Sequence, residues 1–216
     1  MTLMEKKSCL IVVLILLISV SNGLAKGSAK PDGTSNLIPM EGWKIQSSEV
    51  ISEKGDVLST PQYSPKNWFT ATIPCTILNA LIQNNVYPDP YFGMNLRAIK
   101  GTSYSVGENF SNLPMPQDSP FRFSWWYRQE FPIPKNYGDR ILWLHFDGIN
   151  FRANIWLNGL LIADSKRVAG PFRSYEFDIS NAARPGTINV LAVEVFPPQP
   201  DDLGINWVDV SPCPPD

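Results

Sequence analysis

A chain of 216 residues, with a formal charge of −2 and 44 % hydrophobic residues, is long enough to bury a full core as one large domain or as a domain with extensions. Its near-neutral balance excludes the clustered basic excess of a nucleic-acid binder, and the absence of any block of like charges excludes a charged interaction tail. Seven Trp, seven Tyr and eleven Phe are more aromatic side chains than an ordinary domain needs; most are assigned to packing, which leaves a few for contact with a partner or ligand.

The N-terminus has the pattern of a targeting segment. Lys6 and Lys7 precede an unbroken apolar run, CLIVVLILLISV, at positions 9–20. As a helix this run reaches about 18 Å, short of the ~30 Å hydrocarbon core of a bilayer. Small residues follow in SNGLAKG, so cleavage is expected after Gly23 or Ala25, giving a leader over 1–25; an uncleaved signal anchor is the alternative. With the leader removed, no stable membrane span is expected and the chain enters the secretory pathway. Residues 26–40 read as a disordered linker, and the folded unit is expected over 41–198.

The segment GWKIQSS is a short strand candidate, and SPKNWFTATIPC leads into TILNALIQNN, where Ile77, Leu78, Leu81 and Ile82 recur at helical spacing for about two turns. From VYPDPYFGMNL to LPMPQDSPF the chain is rich in Pro, Gly, Ser and Asn. So long an irregular stretch inside a domain is usually functional or disordered. It carries an N-glycosylation acceptor at Asn109, in Asn109-Phe110-Ser111. Beyond it lie FSWWYRQEFPI, RILWLHFDG, NFRANIWLNG, LLIA, SYEFDIS and INVLAVEVF, each rich in β-branched and aromatic residues and bounded by Gly, Asn, Asp or Pro.

Regular short strands of this kind indicate an all-β sandwich or jelly roll with one short helix and one long irregular loop. Phe151, Ala153, Ile155 and Leu157 share one face of a strand, and Arg152, Asn154, Trp156 and Asn158 the other. Asn158-Gly159 suits a hairpin turn whose two central residues need positive φ. In SYEFDIS, Tyr175, Phe177 and Ile179 point inward. Arg152 and Trp156 lie on the nominally polar face.

The catalytic inventory is sparse. His145 is the only histidine, which removes metal sites built on histidine clusters; no metal and no cofactor is expected. There is no G-x-S-x-G elbow, no P-loop and no G-x-G-x-x-G, and His145 reads as a structural histidine on a strand. Cys75 and Cys213, both beyond the leader, allow one bridge or two free thiols. The C-terminal stretch VFPPQPDDLGINWVDVSPCPPD is richer: Asp201, Asp202, Asp209 and Asp216 surround Trp207. An indole covers the C–H-rich face of a sugar while a carboxylate accepts its hydroxyls, each charge-assisted bond being worth roughly 1.5–3 kcal/mol. The alternative is an interdomain linker in which Trp207 docks on a neighbour.

Taken in order, SWWYRQEFPIP, LWLHFDGINFRANIWLNGLLIAD, AGPFRSYEFDIS and INVLAVEVFPP resemble the N-terminal sugar-binding, galactose-binding-like jelly roll of glycoside hydrolase family 2. IPCTILNALIQNNVYPDPYFGMNL and DLGINWVDVSP narrow the resemblance to the subgroup of plant mannosylglycoprotein endo-β-mannosidases, β-mannosidases and exo-β-glucosaminidases. The resemblance spans about 42–216. It implies that residues 199–216 form a loop lent to the active site of a following barrel domain and the start of a linker, and that this domain would pack on the barrel through the face carrying Arg152 and Trp156, residue types favoured in interface cores. Asp209 would reach the hydroxyls of a terminal sugar, Trp207 would flank that contact, and Asn95 would sit on the same rim. Val210 and Ser211 stand where the subgroup typically has tryptophan and asparagine, so the acid carries over more directly than a second stacking group.

The resemblance also implies a glycan substrate with β-mannosyl bonds, an extracellular or vacuolar destination, and a retaining carboxylate pair about 5–5.5 Å apart. No catalytic residue is assigned within 1–216, so the chain is read as the N-terminal portion of a longer hydrolase. A free-standing carbohydrate-binding module and a purely structural sandwich are the rival readings.

Overall fold

In a computed structural model of the chain, residues 16–21, 38–99, 117–170 and 172–198 are described. They form two antiparallel sheets around one core. Strands β1 (Leu16–Ser21), β2 (Ile38–Pro39), β6 (Ile141–Phe146) and β9 (Tyr175–Asp178) make the smaller sheet, in the order β2-β1-β6-β9. Strands β3 (Trp43–Ser47), β4 (Phe69–Ala71), β5 (Trp125–Pro132), β7 (Arg152–Leu157), β8 (Leu160–Ala163) and β10 (Ile188–Phe196) make the larger one, in the order β4-β3-β5-β10-β7-β8. Among the described residues three short α-helices interrupt the strands: α1 (Gly55–Leu58), α2 (Ile77–Gln83) and α3 (Asn95–Ala98). The expected all-β sandwich is therefore present, and α2 lies where the apolar spacing predicts a helix.

The core follows from period-two patterning. Leu142, Leu144 and Phe146 of β6 and Tyr175 and Phe177 of β9 meet Ile45, Tyr127, Ile155, Leu157, Leu191 and Val193 of the larger sheet in one buried cluster. Phe151, Ala153, Ile155 and Leu157 are all buried, as alternation requires. At the hairpin tip Asn158 and Gly159 have φ of 52° and 89°, and Gly159 takes the left-handed conformation without a Cβ penalty. The Asn158 side chain completes this corner: its Nδ2 donates to the Ala182 carbonyl and to Asn189 Oδ1, and its Oδ1 accepts from the Val190 amide. A polar residue enclosed at a hairpin tip is tolerable because its amide is satisfied on both ends.

Two segments ahead of 41–198 also pair. Leu16–Ser21, which the sequence places in a leader, pairs along its length with β6, from Leu16 opposite Phe146 to Ser21 opposite Ile141. An apolar run containing Ile and Val suits the vacant side of a buried strand as well as it suits a targeting segment. Ile38–Pro39, within the stretch expected to be a linker, pairs with β1, and the Met40 carbonyl accepts from Trp43 Nε1.

Candidate functional site

The irregular segment after α2 is anchored firmly at its start. Thr76 caps the helix by accepting from the Asn79 amide at 3.0 Å, which satisfies one of the free N-terminal donors. At the other end Asn85 turns into the left-handed region with φ of 58°; its amide donates to the Ile82 carbonyl, and the Val86 amide reaches back to Leu81. This is a Schellman closure with asparagine in the usual glycine place. Asn84 then ties the helix end to strand β4, with Nδ2 donating to the Thr70 carbonyl at 2.8 Å and Oδ1 accepting from the Thr70 amide. The chain therefore leaves the sheet at a fixed point and direction.

The loop that follows folds on Asp89. Its Oδ1 accepts from the Tyr91 amide at 2.9 Å, and its carbonyl accepts from the Phe92 amide and from Asn95 Nδ2. Asn95 is thus a clasp that closes the loop on itself. The loop displays Tyr91 at 91 % exposure and Phe92 at 76 %, followed by Met94. Three large apolar side chains thus stand exposed above a base of hydrogen bonds. Sequence reading picks Asn95 from this loop and passes over Tyr91 and Phe92. Their signal was available: two adjacent aromatics between Pro90 and Gly93 cannot both be buried in so tight a turn.

Trp156 is placed otherwise than expected. Residues 48–68 fold back over the outer face of the larger sheet, and Trp156 is half-buried with Trp126, Leu58, Ile51, Tyr63 and Trp68. Gly55 lies flat on its indole, so that a β-carbon added there would overlap the ring. Arg128 holds this cover down: buried, it donates from Nε to the Leu58 carbonyl at 2.9 Å and from Nη2 to the carbonyls of Thr60 and Tyr63, with Glu130 2.6 Å from Nη1. The chain's own segment occupies the surface that was expected to take a second domain. Arg152 stays at the margin, its guanidinium 5.6 Å from the Phe151 ring centre.

His145 lies between two carboxylates, with Nε2 2.9 Å from Asp147 and Nδ1 3.1 Å from Glu176, on the outer side of the smaller sheet. Cys75 is buried, and burial pushes its thiol up to about 11. Tyr127, beside it in the core, is also raised, first by burial and then by Cys75. Its hydroxyl has no hydrogen-bond partner within the described residues. Among the described residues no cluster of His, Cys, Asp and Glu suits a metal ion, and no helix is long and apolar enough to cross a membrane. Asp209, Trp207, Asp201, Asp202, Asp216, Cys213 and the acceptor Asn109 lie outside the described residues.

The architecture is that of a galactose-binding-like sandwich, and residues 117–203 match the family described as glycosyl hydrolase 2 galactose-binding domain-like. The match takes in β5 through β10, and over that stretch the chain is similar to the galactose-binding-like domain of glycoside hydrolase family 2. Among the relatives, the exo-β-D-glucosaminidase of Amycolatopsis orientalis is 28 % identical over 84 % of this chain and 16 % of its own length. That of Arthroderma benhamiae is 31 % identical over 85 % of this chain and 19 % of its own. The mannosylglycoprotein endo-β-mannosidase of Lilium longiflorum is 29 % identical over 73 % of this chain and 15 % of its own. In three dimensions the chain resembles the exo-chitosanase CsxA of Amycolatopsis orientalis, with a TM-score of 0.62 at 25 % identity, over 76 % of this chain and 17 % of that one. The chain thus spans less than a fifth of the length of these relatives.

Proposed function

We propose that this chain is the glycan-positioning domain of a secreted β-glycosidase that cleaves β-mannosyl bonds in N-glycans, and that bond breaking belongs to polypeptide outside residues 1–216. One observation carries the reading. The curated relatives named above match most of this chain within a small fraction of their own length, and all of them bear the names of β-glycosidases. A retaining reaction needs a nucleophile and an acid/base carboxylate about 5–5.5 Å apart, with positive charge developing on the sugar between them. This domain's role is to hold the sugar for that pair. Asp209 accepts hydroxyls of the terminal residue and transfers no proton, Trp207 flanks it, and the loop carrying Asn95 borders the same rim.

Five relatives carry the name exo-β-D-glucosaminidase, and this favours a second reading in which the terminal sugar is a β-glucosaminide. Aryl β-mannoside and aryl β-glucosaminide, assayed side by side with the full-length gene product, separate the two. In that enzyme Asp209→Asn is expected to lower kcat/KM on the preferred substrate by about tenfold or more, as befits a lost charge-assisted bond. An unchanged kcat/KM would remove Asp209 from the site. The leader pattern and the acceptor at Asn109 support an extracellular or vacuolar enzyme; Asn109→Gln should then abolish a glycan mass increment on the secreted protein.

A further inference from the structure

The stretch YPDPYFGMN holds a carboxylate and two aromatic rings in a fixed relation. Pro88 and Pro90 restrict φ on either side of Asp89, and Gly93, with φ of 56°, turns the chain directly after Phe92. Asp89 uses one carboxylate oxygen to accept from the Tyr91 amide; its other oxygen makes no hydrogen bond or ion pair among the described residues, and the side chain is exposed. Asn95 closes the turn, with its side chain on the Asp89 carbonyl and its amide on the Phe92 carbonyl. The rings of Tyr91 and Phe92 are adjacent and almost wholly open to solvent. The other exposed aromatics among the described residues, Phe123 and Phe172, stand singly, and each has an arginine as its chain neighbour, Arg122 and Arg173.

We infer that Asp89, Tyr91 and Phe92 form a binding platform for a cationic pyranose, an amino sugar of a β-linked glycan. An aromatic face covers the C–H-rich side of a sugar and attracts a ligand cation through its quadrupole. A carboxylate alongside accepts a charge-assisted hydrogen bond from the ammonium group. A neutral sugar uses the rings and leaves Asp89 to water, and an anionic sugar is repelled by it; charge complementarity therefore singles out the ammonium. Phe123 and Phe172, each next to a cation in the chain, lack that complementarity. The hydrogen bonds of the turn set the acid and the rings before any ligand arrives, so little ordering is lost on binding. The inference rests on the glycan-positioning reading and, of its two candidate sugars, points to the β-glucosaminide, whose 2-amino group supplies the charge. The contact is distinct in sequence from Asp209.

The test follows the backbone amides of the isotope-labelled 216-residue chain by NMR. Three ligands are titrated in turn: a β-linked glucosamine oligosaccharide, its N-acetylated counterpart and a β-mannosyl oligosaccharide. The amides of residues 91–95 should shift saturably with the glucosamine oligosaccharide, which should bind about threefold more tightly than the two neutral ligands. High salt should erase that preference. Asp89→Asn keeps an oxygen for the Tyr91 amide; it should abolish the preference and leave the neutral ligands unchanged. Tyr91→Ala and Phe92→Ala together should weaken all three by about fivefold. Both variants should keep the parent amide spectrum away from the loop, because these side chains are exposed. The loop shifts should persist in Asp209→Asn. Sugar binding that Asp209→Asn removes, with the loop amides unmoved, would overturn the platform and leave the glycan-positioning reading standing. No shift anywhere with any of the three would overturn both. Equal affinity for the charged and neutral ligands would overturn recognition of the ammonium. Loop shifts that grow with protein concentration in the absence of sugar would make the rings a contact between protein molecules and overturn the inference.

Discussion

On the inner face of the six-stranded sheet, Ile155, Leu157, Leu191 and Val193 are fully buried against the smaller sheet; on the outer face, Trp126, Arg128 and Trp156 are covered by residues 48–68 of the same chain. The inner face is closed by apolar contact alone. The outer one depends on a buried guanidinium that feeds three carbonyls and on a glycine laid against an indole. Alternation in sequence tells which side chains share a face. It does not tell what closes that face, because a tryptophan or arginine pointing away from the core suits a domain interface and an intramolecular cover equally.

The sharpest test sets one variant on each face. Ile155→Ala should cost ~2–5 kcal/mol of global stability through the cavity it leaves, read in urea denaturation. Arg128→Met should cost ~2–4 kcal/mol by orphaning the carbonyls of Leu58, Thr60 and Tyr63, and should open residues 48–68 to protease before the sandwich unfolds. Equal protease resistance in the two variants would mean that both faces unfold as one unit. Gly55→Val should cost ~1–3 kcal/mol by forcing α1 off the Trp156 indole, with the same local opening.

Cys75 gives the inner face a pH signature. Burial raises its thiol from 9.0 to about 11, so its neutral form stabilises the fold in full below pH 9 and that contribution fades as pH rises toward 11. Cys75→Ala should therefore flatten the fall of stability between pH 9 and 11, and an unchanged slope would assign that fall to other groups. The smallest effect belongs to the loop on Asp89: Tyr91→Ala should leave stability within ~0.5 kcal/mol of the parent, since the ring contributes little to the core.

The sandwich was legible because its strands alternate cleanly and are bounded by turn residues; β5, β6, β7 and β10 lie where Trp125, Ile141, Arg152 and Ile188 begin their runs. The short helix was legible from Ile77, Leu78, Leu81 and Ile82. Strand β4 and helix α1 were not, because FTA and GDVL are too short to show a period. Nor was the role of Arg128, which lies in a strand and binds carbonyls some 65–70 positions earlier in the chain. At the candidate site the motif around Asn95 stood out as a motif. Its work as the clasp beneath Tyr91 and Phe92 depends on a side-chain bond that no spacing encodes.

Calorimetry of the purified chain with β-mannosyl oligosaccharides tests the glycan-positioning reading most directly. Weak, saturable heat at millimolar sugar, reduced by Asp209→Asn and unaccompanied by release of free sugar, is the expected result. No heat at those concentrations would leave a sandwich that supports an enzyme without touching its substrate, and hydrolysis by the chain alone would place the bond-breaking carboxylates within these 216 residues.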